Sequence, residues 1–290
     1  MIASINSSKK QQTLQNDFSL NGVGLHSGKR VSISVQPAKE NNGIKFIRTD
    51  IKNNNIIDAI WSNVSSTNFC TTISNDYGIS VSTIEHLMSA LSGMHIDNAN
   101  ILIDNVEVPI MDGSSLPFVK FFEKNGIITQ EIDRQIILVK KEIKVSYKDS
   151  YAKIIPNNEF SIDFEIDFDS DLINKQACQL QLINGNYISD ISSARTFGFE
   201  KDVNRLRANG LALGGSLDNA VVVGENNILN TGGLRYDDEF VRHKILDSIG
   251  DLYLAGNPIL GHFYGYKSGH FLNNLLLQKL FSENSNFELI

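Results

Sequence analysis

Hydrophobic and polar positions alternate along several short segments of this chain. The alternation is clearest in Val31–Val35 and in Phe160–Phe168, where every second residue is apolar, as in a half-buried β-strand. Other segments that predict strands are Ala99–Ile103, Ile136–Val145, Tyr151–Ile155 and Ala220–Val223. Strands are therefore expected in both halves of the chain.

Other segments carry the apolar spacing of α-helices, and several of them stop at a glycine. They cover about Thr83–Ser92, Leu116–Lys124, Phe199–Ala208 and Asp238–Leu254, and a further helix starts after Gly269. Each half mixes strands with helices without strict βαβ alternation, which favours an α+β fold. A charged stretch around Asp133 separates the halves, so we predict two domains, residues 1–132 and 133–290.

Composition and charge limit the function classes. With 290 residues, of which 41% are hydrophobic, the chain can bury a sizeable core. A net charge of −7 argues against binding of nucleic acid or an anionic membrane through overall charge, so an anionic ligand would need a local group of Lys or Arg. The two cysteines, Cys70 and Cys178, form no CxxC metal clip. We find no signal-peptide pattern and no apolar membrane span, and we expect a cytoplasmic protein without stable membrane insertion.

The strongest local motif is FVRHKILDSIGD, in the predicted helix that ends near residue 254. His243, Asp247 and Asp251 follow one another at intervals of four and fall on a stripe about 80° wide. An imidazole and a carboxylate four residues apart can bind one metal ion, and both are normal zinc ligands. The alternative, that the two aspartates lie on a solvated face of the helix, is at least as good an explanation of this motif alone.

A second motif is STIEHL, which places Glu85 and His86 in the first turn of a helix. Such a pair suits a zinc hydrolase, in which the histidine binds the metal and the glutamate takes a proton from water. The same letters form a capping box, in which Glu85 bonds to the backbone N–H of Ser82. Without other evidence the cap is the better interpretation.

A third motif is YKSGH, in which Gly269 allows a sharp turn and His270 opens a helix. The positive end of the helix dipole would lower the pKa of this histidine, and a carboxylate such as Asp251 would offset that effect. The alternative is an ordinary polar residue at a helix start. Histidines beside acidic motifs far apart in sequence suggest a metal hydrolase with its site at a domain junction.

These segments together closely resemble the UDP-3-O-acyl-N-acetylglucosamine deacetylase family, in the order of the family and over nearly the whole chain. The matching stretches are GVGLHSGK (Gly22–Lys29), STIEHLMSAL (Ser82–Leu91), IDN (Ile96–Asn98), PIMDGSSLPFV (Pro109–Val119), SARTFGF (Ser193–Phe199), GLALGGSLDNAVV (Gly210–Val222), GLRYDDEFVRHKILDSIGDL (Gly233–Leu252) and YKSGHFLNN (Tyr266–Asn274). Agreement on this scale favours the functional interpretation of all three motifs.

The resemblance implies two similar α+β domains, each a sheet backed by helices, packed as a sandwich of helix, sheet, sheet and helix layers. One catalytic Zn²⁺ is expected at the domain junction. The implied metal ligands are His86, His243 and Asp247, although iron(II) would also suit these ligands. The implied catalytic residues are Glu85 as general base, His270 with Asp251 as its orienting carboxylate, and Thr196 and Lys244 beside the reacting centre.

The resemblance also implies contacts to the substrate, UDP-3-O-acyl-N-acetylglucosamine. Phe168 matches the residue that stacks on uracil, and His26 lies in a matching glycine-rich loop. Lys244 and Lys267 are our candidates for the diphosphate. For the acyl chain we expect a channel in the segment Ile191–Leu213, lined by Phe197, Phe199, Leu206 and Leu211, although an amphipathic helix packed on a sheet would bury the same residues.

The expected reaction is zinc-dependent hydrolysis of the N-acetyl group, a step of lipid A biosynthesis. Two other functions remain open: a binding protein that keeps the scaffold without catalysis, and a zinc amidohydrolase that acts on another N-acetyl sugar. A binding protein has no need of a base beside three metal ligands. Acetate release from the acylated substrate would separate all three.

Overall fold

The computed structural model describes residues 9–182 and 185–290. The first eight residues, which belong to the segment inspected for a signal peptide, lie outside this part. Among the described residues, no helix has the length and apolar character needed to cross a membrane.

The first half of the chain forms a five-stranded sheet and two smaller ones. The sheet has the strand order β2-β3-β9-β4-β5, beside a three-stranded sheet β6-β7-β8 and an antiparallel pair of β1 with β10. These strands are β1 Lys10–Leu14, β2 Phe18–Val23, β3 Arg30–Pro37, β4 Ile44–Arg48, β5 Ile56–Asp58, β6 Val64–Ser66, β7 Thr72–Ser74, β8 Ser80–Val81, β9 Ala99–Ile103 and β10 Ile127–Asp133. The predicted boundary after residue 132 falls just before the end of β10 and stays a prediction.

The second half forms a seven-stranded sheet. Its main path is β12-β13-β18-β11-β19, and β14 pairs with both β18 and β15. A short parallel pair of β16 with β17 lies apart from this sheet. These strands are β11 Ile137–Val139, β12 Ile143–Tyr147, β13 Ser150–Ile155, β14 Phe160–Asp167, β15 Lys175–Gln181, β16 Phe197–Phe199, β17 Val221–Val223, β18 Ile259–Tyr266 and β19 Phe287–Leu289.

Helices from the two halves meet in the interior. They are α1 Glu85–Gly93, α2 Leu116–Asn125, α3 Asn186–Asp190, α4 Glu200–Ala208, α5 Glu239–Tyr253 and α6 His270–Phe281. Helix α1 packs against α5, α2 lies beside α1, and α6 lies beside α5. Every residue of α1 from Glu85 to Leu91 is buried, as are nearly all residues of α5, so both helices are surrounded by protein on all sides.

The α+β sandwich of sheets and helices is confirmed, but its layers follow a different order from the expected one. The helices α1 and α5 face each other in the middle, and the sheets lie outside them. The burial along the strands shows the reason, because buried residues alternate with exposed or partly exposed ones along β3 and most of β14. A sheet between two other layers would be buried on both faces, whereas these sheets expose one face to solvent.

Most of the predicted elements are confirmed with small changes at their ends. The predicted strand Ile136–Val145 is in fact two, β11 and β12, separated by residues 140–142. Strands β15 and β18 are among those that the sequence did not predict. Both belong to the sheet that packs against α5, the helix that carries His243 and Asp247.

Candidate metal centre and active site

His86, His243 and Asp247 converge where α1 meets α5. Nε2 of His86 lies 3.5 Å from Oδ1 of Asp247, and Nε2 of His243 lies 3.3 Å from the same oxygen. One ligand atom from each side chain lies within 4.8 Å of the others, and all three residues are buried. Asp247 therefore faces α1 and Asp251 is buried as well, so the alternative of a solvated helix face is wrong.

The surroundings of these three side chains favour a cation. Oδ1 of Asp247 is buried and accepts no hydrogen bond from the described residues, while Oδ2 accepts one from the Lys244 ammonium at 2.7 Å. Nδ1 of His243 lies 3.1 Å from the carbonyl oxygen of Ala194, which leaves Nε2 to face Asp247. Two imidazole nitrogens and a carboxylate oxygen that face one another at this spacing can hold a metal ion, and they match the usual donors for zinc.

The charges of the cluster suit metal binding. Burial lowers the pKa of His243 to about 4, which keeps the imidazole neutral and its lone pair available. Burial alone would raise the pKa of Asp247, but His243 and Lys244 together hold it well below its usual range. The carboxylate is therefore ionised, and it pairs with the partly buried ammonium of Lys244, whose pKa this carboxylate raises.

Glu85 starts α1 and points into the same region. Its Oε2 accepts a hydrogen bond from the backbone N–H of Thr71 at 3.0 Å, and its Oε1 lies 3.8 Å from Nε2 of His270. The backbone N–H of Ser82 donates to the carbonyl oxygen of Val106 instead, so the capping-box interpretation is wrong. Burial raises the pKa of Glu85, and the nearby histidines offset this only in part.

His270, the first residue of α6, pairs with Asp251 of α5. Nδ1 of His270 lies 2.8 Å from Oδ2 of Asp251. Burial alone would lower the pKa of His270, but the charge and hydrogen bond of Asp251 outweigh it and raise the pKa to about 9. The histidine is therefore a partly buried cation near neutral pH, and the alternative of an ordinary polar residue at a helix start is wrong.

A cavity of about 190 Å³ connects these groups. Its lining includes residues from both halves of the chain: Leu25, His26, Phe69, Thr83, Glu85, His86, Phe168, Thr196, Phe197, His243, Lys244, Asp247 and His270. Phe197 packs edge-on against Phe168 and the buried Phe240, with ring centroids 5.6 and 4.9 Å away. The cavity therefore offers a water-accessible space bounded by the metal-binding cluster, a carboxylate and an aromatic wall.

Comparison with known proteins agrees with this geometry. The LpxC family, described as UDP-3-O-acyl N-acetylglycosamine deacetylase, matches residues 11–282. The chain belongs to this family. A protein of Syntrophus aciditrophicus (strain SB) named UDP-3-O-acyl-N-acetylglucosamine deacetylase is 49% identical over 277 residues, covering 96% of this chain and 88% of the relative. A protein of the same name from Idiomarina loihiensis is 48% identical over 283 residues, covering 97% and 92%.

The LpxC resemblance inferred from the sequence is thus confirmed, and the structure brings most of its expected site residues together. Lys267 lies outside the cavity lining, and its ammonium pairs with Asp149 and Asp167, each at 3.1 Å. Phe199, Leu206 and Leu211, expected to line an acyl channel, are partly buried and also lie outside that lining. The functional roles of all these residues stay predictions.

Several residues of this LpxC-family site had no counterpart in the sequence prediction. The buried carboxylate of Glu107 accepts hydrogen bonds from the backbone N–H groups of His26 and Ser27, both at 2.8 Å, and from the hydroxyl of Thr83 at 3.0 Å. It therefore joins the loop of His26 to the start of α1. Its only sequence signal is a glutamate between two valines, in VEV.

A buried ion pair supports the segment that carries Thr196. The guanidinium of Arg195 binds the carboxylate of Glu239 at 2.8 Å, and the same carboxylate accepts a hydrogen bond from the Arg195 backbone N–H at 3.0 Å. Glu239 is fully buried at the start of α5. The pair therefore fixes Thr196 relative to the helix of His243.

Proposed function

We propose that this protein is a zinc metalloamidase that hydrolyses the N-acetyl group of UDP-3-O-acyl-N-acetylglucosamine. The products are UDP-3-O-acyl-glucosamine and acetate, formed in the cytoplasm as a step of lipid A biosynthesis. Membership of the LpxC family and the names of the relatives support this reaction. The observation that carries the proposal is that the three candidate metal ligands share one cavity with Glu85 and His270.

In this proposal His86, His243 and Asp247 hold one catalytic Zn²⁺. Three protein ligands leave a coordination position open, as catalytic zinc sites require, and buried Oδ1 of Asp247 is free to serve as the carboxylate donor. When bound, zinc supplies a Lewis acid that lowers the pKa of water and polarises the acetamide carbonyl. Zinc rather than iron(II) is our choice because two imidazoles and one carboxylate suit it well.

Glu85 acts as the general base. Its carboxylate lies in the cavity beside His86, and it takes a proton from the water that attacks the acetamide carbon. Burial raises its pKa, which makes it a stronger base than an exposed glutamate. The single backbone hydrogen bond from Thr71 holds one oxygen and leaves the other directed towards His270.

His270 acts as the positively charged partner of that base. Since Asp251 keeps its ring protonated, His270 stabilises the negative charge that develops on the acetamide oxygen. Thr196 and Lys244 line the same cavity, and their side chains contact the reacting acetamide group there. The carbon–nitrogen bond then breaks, and the departing nitrogen receives a proton from His270 or Glu85.

The remaining proposed contacts select the substrate. Phe168 stacks on the uracil ring, and Phe197 packs against the start of the acyl chain beside the metal site. His26 contacts the sugar, because its Nε2 is buried without a hydrogen-bond partner and its ring lines the cavity. Lys267 and Lys244 bind the diphosphate. We also propose that the chain divides into domains 1–132 and 133–290, which each supply part of this site.

The experiment that tests the mechanism is replacement of Glu85 by glutamine, which keeps the shape of the side chain and removes the base. Acetate release should fall by about 10²- to 10⁴-fold, the usual contribution of a general base. Zinc content should be measured on the same preparation and should match the parent. A zinc-loaded variant with parental activity would remove Glu85 from the mechanism.

A further inference from the structure

Thr71 joins the carboxylate of Glu85 to that of Asp251. It is 2% exposed and lies directly before β7. Its backbone N–H donates to Oε2 of Glu85 at 3.0 Å, and its hydroxyl donates to Oδ1 of Asp251 at 2.6 Å. The same residue thus contacts the first residue of α1 and a residue of α5, and sequence motifs gave no indication of it.

The hydroxyl of Thr71 is the only recorded donor to Oδ1 of Asp251 among the described residues. The other oxygen, Oδ2, faces Nδ1 of His270 at 2.8 Å and accepts a hydrogen bond from the Asn273 amide at 2.9 Å. Rotation about the last torsion of an aspartate is soft, so a carboxylate keeps one orientation only when its two oxygens have different partners. Thr71 supplies that difference.

We propose that Thr71 is a positioning residue of the reaction. Its hydroxyl fixes the rotation of the Asp251 carboxylate, and this in turn holds the ring of His270 with Nε2 towards Glu85. The assignment rests on the proposed function, in which Glu85 and His270 exchange protons with substrate and water. Because the link from Thr71 to Glu85 is a backbone N–H, substitutions of the side chain test the path through Asp251 alone.

Removal of the hydroxyl leaves a buried carboxylate oxygen without a donor. The carboxylate then turns to seek another partner, and the His270 ring loses its fixed direction. A buried hydrogen bond to a charged group corresponds to roughly 10- to 100-fold in a rate or equilibrium constant. We expect a loss of this size in kcat, with little change in KM, because neither Thr71 nor Asp251 lines the cavity.

The test compares Thr71→Ser with Thr71→Ala, which differ by one oxygen atom. Each zinc-loaded variant is assayed for acetate release from UDP-3-O-acyl-N-acetylglucosamine, with Thr72→Val as a matched control on the neighbouring residue, whose hydroxyl contacts Cys70 instead. The serine variant and the control should keep kcat within roughly threefold of the parent, and the alanine variant should lose roughly 10- to 100-fold at constant KM.

A double-mutant cycle with His270→Gln shows whether Thr71 acts through the histidine. In that background Thr71→Ala should cause less than roughly a threefold further loss, because the ring it positions is gone. Equal kcat in the serine and alanine variants, or a full loss that repeats in the His270→Gln background, would overturn the role while the deacetylase reaction stands. Absence of acetate release from the parent would overturn the proposed function, and the role of Thr71 with it.

Discussion

Gly250 sets the distance between the two helices that carry the metal-binding cluster. It lies on α5 between Asp247 and Asp251, and a Cβ atom built on it would lie 2.0 Å from the carbonyl oxygen of Glu85 and 3.0 Å from the backbone nitrogen of Ser89. Both neighbours are backbone atoms of α1 and cannot rotate away. Alanine at this position therefore requires the two helices to move apart.

The size of that movement follows from the contact distances. To bring the new methyl group from 2.0 Å to the 3.4 Å of ordinary van der Waals contact, α1 and α5 must separate locally by about 1.4 Å. Metal–ligand distances tolerate about 0.2 Å, and His86 lies on one helix while His243 and Asp247 lie on the other. We therefore expect Gly250→Ala to weaken zinc binding at least about tenfold, or about 1.4 kcal/mol.

The assay is zinc occupancy across a series of buffered free-zinc concentrations, together with kcat/KM at saturating zinc. Gly232→Ala is the matched control, because nothing lies within 4 Å of a Cβ atom there and its φ is not in the left-handed region. Circular dichroism should show that both variants keep their helices. Parental zinc affinity and activity in Gly250→Ala would refute the argument that close helix contact assembles the cluster.

The remaining predictions concern pH and metal removal. The profile of kcat/KM against pH should be bell-shaped: activity rises as Glu85 loses its proton, above its usual pKa of 4.5, and falls as His270 loses its proton near pH 9. His270→Gln should remove the alkaline limb, and an unchanged limb would assign it to another group. Chelation should abolish activity but preserve the circular dichroism spectrum, because apolar residues of α1 and α5 hold the helices together; global unfolding would make the metal structural.

Local patterns in the sequence predicted the elements well where apolar spacing or a terminal glycine marks them clearly. Alternation found β3, β9 and β14, and glycine stops found α1, α2 and α4. Strand β15, KQACQLQ, escaped because it has few apolar residues, and Gly261 and Gly265 interrupt the pattern of β18. At position 265 a glycine is needed, because a Cβ there would lie 2.4 Å from the ring of Phe164.

The layer order and the support of the site depend on contacts between distant segments. Alternating strands already indicated sheets with one solvated face, which agrees with outer sheets and inner helices. The hydrogen bond from Thr71 to Asp251 joins residues 180 positions apart, and no local spacing predicts it. The motifs around His86 and His243 were visible because a histidine stands close to a carboxylate in each, and His270 was visible because it follows a glycine at a helix start.

Acetate release is the measurement that tests the central claim most directly. The purified, zinc-loaded protein is given UDP-3-O-acyl-N-acetylglucosamine and, in parallel, the same sugar nucleotide without its acyl chain. We predict rapid acetate release from the acylated substrate and a much lower kcat/KM without the chain, since each buried methylene contributes about 0.8 kcal/mol. No acetate from either compound would contradict catalysis, and equal rates would point to an amidohydrolase for another N-acetyl sugar.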